Sequence, residues 1–139
     1  MTPRSRPRHE PCGRPEAAGR LAQADAYLAA AILVVDDESD PANPGVAAAL
    51  AVLAGIAAAD AACCARLKTR SRGPDHRQAT ALVATVDPHG TEMAKDLDRL
   101  LAKKDTVHYG TAVISAPEGA RMVSWAKRLV AHAHSAAGA

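Results

Sequence analysis

The sequence predicts an all-α protein, and three features carry that prediction. Hydrophobic residues make up 48% of the chain, yet there is no Phe, one Trp and two Tyr. Sheets favour aromatic and β-branched side chains, whereas alanine, which supplies much of this apolar content, is the best helix former. Apolar positions recur at helical spacing along most of the chain. Prolines and capping residues then divide it into four long segments and one short one with short connections, the pattern of an antiparallel four-helix bundle with an additional short helix. At 139 residues there is room for one core.

Residues 1–15, MTPRSRPRHEPCGRP, hold four prolines and four arginines without periodicity. They read as a disordered basic arm, and residues 16–135 as the bundle domain. The first helix starts near Pro15–Glu16, with proline suited to the first helical turn. Leu21, Ala24, Leu28, Ile32 and Val35 form its stripe, and the acidic run before Pro41 ends it. The second helix opens on Asn43 as N-cap and Pro44 at N1. Val46, Leu50, Leu53, Ile56, Asp60, Cys64 and Leu67 lie along one face, and Gly55 permits a close neighbour.

A basic loop, KTRSRGP, follows. Asp75 caps the short third helix, with Gln78 in the capping-box position and Ala79, Leu82, Val83 and Val86 as its apolar side. Asp87-Pro88-His89-Gly90 is a turn. The fourth helix carries Met93, Leu97, Leu100 and Leu101 on its buried stripe, and runs on through Lys104 and His108 to Gly110. Ser115 and Glu118 form a second capping box around Pro117. The fifth helix buries Met122, Trp125, Ala126, Leu129 and Val130 and frays near His134.

Charge and cysteine content bound the function classes. A net charge of +2 argues nothing alone. Three cysteines, Cys12, Cys63 and Cys64, suggest no disulfide framework, so a reducing cytoplasm is expected. The first twenty residues lack a signal-peptide apolar core. The longest uncharged apolar stretch, Val46 to Ala59, is too short to span a bilayer, and no membrane association is expected. There is no Gly-rich phosphate loop and no zinc-like cysteine pairing. His132 and His134 fall on different helix faces. No cofactor or metal is therefore expected.

Candidate chemistry sits where ionisable residues interrupt apolar stripes. A buried carboxylate at Asp60 needs a cation or several donors, and Lys104 occupies the equivalent place on the fourth helix, so the two are expected to pair. His108, one turn beyond, is suited to general base work near neutral pH. Lys103, Lys104 or Arg99 would hold a phosphate while a ribose 2′-hydroxyl attacks it. The structural alternatives are a register-setting ion pair and a histidine at a helix C-terminus. Tyr109 either stacks on a base or plugs the bundle end. Asp75 is a cap, and His76 beside it is a candidate to reach the Lys104–His108 region. Arg66, Lys68, Arg70 and Arg72 form either a phosphate-binding patch or a solvated face.

The segments DAACCARLKTRSRGPDHRQATALVATVD and LDRLLAKKDTVHYG resemble the small actinobacterial branch of the HEPN superfamily, over about residues 45–132. The resemblance implies a helical bundle, often a homodimer. It also implies a metal-independent RNA-cleaving toxin or defence component paired with an antitoxin, or else a non-catalytic partner or small-nucleotide binder. The active branch carries Arg, four to six residues, then His; here the nearest match is Lys103, four residues, His108. Asp60, Asp75, His76, Lys104 and Tyr109 are similar to the branch's polar positions.

Overall fold

The protein is described here by a computed structural model covering residues 8–73, 75–111 and 113–138. Strand β1 (His9–Pro11) leads into helix α1 (Arg14–Asp36) and helix α2 (Asn43–Leu67). Strand β2 (Thr69–Ser71), helix α3 (His76–Val83), helix α4 (Gly90–Ala102), helix α5 (Lys104–Tyr109) and helix α6 (Ala116–Ala136) follow. The chain is predominantly helical, as its composition predicts.

Helix α2 is the centre. It packs most extensively along α1, then along α6, while α4 packs against α6 and also touches α2. Its deepest positions are small: Ala47, Ala48, Ala51, Ala54, Ala57, Ala58, Ala61 and Ala62 are fully buried. The large residues of the expected stripe are less covered. Val46 is 47% exposed, and Leu50, Leu53 and Ile56 are half-buried. The helix is enclosed on most sides, so close approach by its neighbours, not bulk, decides what lies deepest. Helix α1 meets it with Ala17, Ala24 and Ala31, seven residues apart, the repeat that keeps one seam facing a partner helix. Gly55 serves the same closeness from the other side: a Cβ there would stand 2.6 Å from Leu100 Cδ1. Met93, Leu97, Leu100, Met122 and Leu129 supply the bulk of the core.

By length and composition both α1 and α2 are apolar enough to cross a membrane. For α2, 67% of the relevant window lies buried inside the protein, as a core helix requires; for α1 the share is 11%.

Several expectations are corrected. Residues 8–15 are ordered, not part of a free arm: β1 pairs antiparallel with β2, placing His9 opposite Ser71, Glu10 opposite Arg70 and Pro11 opposite Thr69. Residues 1–7 lie outside the described residues. Thr69–Ser71 of the basic loop is therefore a strand. A disulfide joins Cys12 to Cys64, contrary to the expectation of none, and only Cys63 is a free buried thiol. Asn43 is not the α2 cap. It lies inside the helix, its Nδ2 donating to the Asp37 carbonyl at 2.9 Å, while Asp40 Oδ1 accepts from the Ala42 N–H at 2.8 Å. Asp75 does cap α3, accepting from the Arg77 N–H at 2.9 Å, and Ser115 caps α6 by accepting from the Glu118 N–H at 3.2 Å.

The segment 93–109 is not one helix. It breaks at Lys103, whose N–H bonds to the Leu100 carbonyl at 3.1 Å, a tightened last turn. The following α5 has no buried residue.

Candidate functional site

Helix α2 places Asp60 one turn before Cys64, at the edge where α1, β2, α3, α4 and α5 leave a cleft of about 450 Å³. Ile56, Ala79, Leu97 and Leu101 form its apolar wall, and Arg20, Asp60, Arg70, Arg72, His76 and Lys104 are its charged or titratable lining. The volume lies within the ~300–1,000 Å³ of small-ligand sites.

Asp60 does not pair with Lys104. Its Oδ2 accepts from Arg20 Nη2 at 3.0 Å and from Arg70 Nη1 at 3.1 Å, with Arg20 Nε also at 3.1 Å. Planar guanidinium groups reach this half-buried carboxylate from two elements at once, which a lysine on a broken helix end does not do. Burial pushes the Asp60 carboxyl above the usual carboxylate range, against the downward pull of Arg20 and Arg70. Arg70 is held a second time: its Nη2 lies 3.0 Å from Glu10 Oε2 on β1. The same oxygen pairs with Arg72 Nη1 at 3.2 Å. Glu10 thus bridges two cations of the cleft.

Lys104 and His76 both line this cleft, which spacing alone does not decide. His108 is not among the residues that line the cleft with Lys104, and its Nε2 is buried with no hydrogen-bond partner among the described residues. Lys103 is taken up by Glu118, Nζ to Oε1 at 3.1 Å. Tyr109 is 79% exposed and plugs nothing. Arg66 and Lys68 line a separate groove with Arg14, and the Lys68 ammonium donates to the Ala65 carbonyl at 3.2 Å. The four loop cations therefore do not form one patch: Arg70 and Arg72 are paired on the cleft side, and Arg66 and Lys68 lie apart from it.

Arg20 and Ser71 are site residues that the sequence does not announce. Arg20 is one arginine among several near the N-terminal end, and only the demand of Asp60 for a cation points to it. Ser71 Oγ is buried in the lining without a partner among the described residues. The sequence does not announce Asp96 either. It is 3% exposed and held by Arg128 at 2.9 Å and Arg99 at 3.4 Å, away from the cleft. Among the described residues no three His, Cys, Asp or Glu side chains gather as they would around a metal ion.

The cleft thus gathers three arginines, one lysine, one imidazole and one carboxylate against an apolar wall. No protein-family model matches the chain, and no curated protein shows significant similarity to it.

Proposed function

We propose that this chain is a HEPN-like helical-bundle protein that binds a nucleotide through its phosphate in the Asp60 cleft. The observation that carries the reading is the convergence of Arg20, Arg70, Arg72 and Lys104 beside Ile56, Leu97 and Leu101. Phosphate is recognised by arginine and lysine donors, and the apolar wall suits the face of a base. Asp60 organises Arg20 and Arg70, Glu10 engages Arg72, and Lys104 lines the same cleft. Titration calorimetry with ribonucleoside 5′-monophosphates tests it. Binding that weakens with salt and falls on Lys104→Ala supports the reading; the absence of binding by every nucleotide at low salt refutes it.

A second reading, RNA cleavage without metal, is favoured by one observation: His76 shares the cleft with Lys104. In that reading His76 takes the proton of a ribose 2′-hydroxyl and Lys104 holds the phosphate oxygens. Cleavage of RNA in the presence of a chelator, lost in His76→Ala and retained in His108→Ala, is the expected result. Loss in His108→Ala alone would return the base role to His108.

A further inference from the structure

The cleft's arginines are already engaged by a carboxylate from the chain itself. Glu10 sits on Arg70 and Arg72 at 3.0 and 3.2 Å, the same two guanidinium groups a phosphate would use. Its other ties are few, and one is the Thr69 hydroxyl, which donates to the Glu10 carbonyl at 3.2 Å. Strand β1 has three residues and one partner strand. Beyond the ladder, the Arg72 N–H bonds to the Arg8 carbonyl at 2.8 Å and the Cys12 N–H to the Lys68 carbonyl at 3.0 Å. A three-residue ladder is marginal by itself. Apart from the chain's own run into α1 at Arg14, the disulfide to Cys64, on the central helix, is its covalent tie.

We propose that β1 is a redox-latched strap: with Cys12–Cys64 closed, Glu10 neutralises Arg70 and Arg72 at the edge of the cleft, and reduction frees the strap and opens the two arginines to ligand. The proposal rests on the reading that the cleft takes a phosphate. The step balances with a dithiol reductant. Its thiolate attacks the sulfur of Cys12, the less buried partner, and forms a mixed disulfide. Cys64 leaves as a thiolate and takes up a proton. The second thiol of the reductant then resolves the mixed disulfide, releasing Cys12 as a thiol and the reductant as its cyclic disulfide.

Cys63 does not short-circuit the latch. It neighbours Cys64, but burial, reinforced by the negative Asp60, pushes its thiol up to about 12, so it remains protonated and does not attack. The latch therefore answers to an external reductant only.

The test uses the full chain and AMP as probe. Affinity is measured by calorimetry for the oxidised protein, the dithiothreitol-reduced protein, and the oxidised Glu10→Gln variant, with hydrogen exchange followed at the β1 and β2 amides. Glu10→Gln keeps the disulfide and the strand, so it does not depend on a cysteine variant folding. The expected result is about tenfold tighter binding on reduction, with loss of β1 protection. The oxidised Glu10→Gln protein should bind with most of that gain, and reduction should add little to it. Equal affinity in all three states leaves the cleft reading intact and overturns the strap. Retained β1 protection after reduction overturns it too. If no state binds AMP, the nucleotide reading and the gate fall together, while the exchange data still report whether the disulfide holds the strand.

Discussion

Breaking the Cys12–Cys64 bond should lower thermal stability by an amount that the chain length between the two residues sets. The bond closes a loop of 52 residues' separation, so in the chain-entropy account it removes about 4 kcal/mol of freedom from the unfolded state at 25 °C. All of that is lost on reduction if β1 stays docked. If β1 lets go, the reduced native state regains freedom over a few residues, and the loss falls towards about 2 kcal/mol, the low end for native disulfides. Unfolding entropy of roughly 2.1 cal/mol/K per residue, over 139 residues, is about 0.3 kcal/mol/K. The melting temperature should therefore drop by roughly 7–14 °C. Calorimetry with and without a phosphine reductant measures it, with Cys12→Ser as the chemical control. A drop in the lower half of that range accompanies a strap that releases; one in the upper half, a strap that stays. No drop, or a rise, would refute the loop-closure reasoning.

Four other outcomes follow from single contacts. Gly119→Ala should destabilise by about 1–2 kcal/mol, because the new Cβ would lie 2.9 Å from the Pro44 carbonyl oxygen and 3.1 Å from its Cα, backbone that has little room to yield. Gly19→Ala, with nothing within 4 Å, should gain up to about 1 kcal/mol from helix propensity; urea unfolding compares the two. Cys63 should resist iodoacetamide at pH 8 in the folded protein and react once it is unfolded, as its raised thiol demands; mass spectrometry counts the adducts. Asp60 titrates above its ordinary 3.8 in the folded state, so the folded protein binds that proton more tightly than the unfolded chain. Its contribution is present below pH 3.8 and is lost as pH rises through the higher folded value. Asp60→Asn should remove that component from the stability–pH curve above pH 3.8, and identical curves for the two proteins would contradict the assignment.

Several helix starts were legible because their signals are local. Ser115 caps α6, Asp75 caps α3 and Pro44 lies in the first turn of α2. Met93, Leu97 and Leu100 are buried as their spacing requires. The burial ranking along α2 was not legible, because hydropathy weighs large residues most, whereas a helix enclosed by close neighbours puts alanine deepest. Nor was the disulfide: Cys12 lies in a proline-rich stretch, and nothing local says that it folds back onto Cys64. That Asp60 needs a cation was readable from its place on an apolar stripe. Which cation was not, since Arg20, Arg70 and Lys104 are equivalent in sequence until the fold selects two of them. The break at Lys103 separates His108 from the cleft, and a continuous periodic pattern conceals it.

The two halves of the gate are coupled through one turn of one helix. Asp60 and Cys64 are four residues apart on α2, so the carboxylate that holds Arg70 and the sulfur that tethers β1 project from the same side. Because α1 approaches α2 on an alanine seam, Arg20 is near enough to share Asp60, and Arg70 keeps a partner when Glu10 leaves. Release of the strap leaves Arg70 on Asp60, whereas Arg72, whose partners are Glu10 and the Arg8 carbonyl, exchanges both for water. Four permanent cations then face one carboxylate where they faced two. An entering phosphate no longer has to displace a charge of its own sign, and its affinity should depend more steeply on salt in the reduced protein than in the oxidised one.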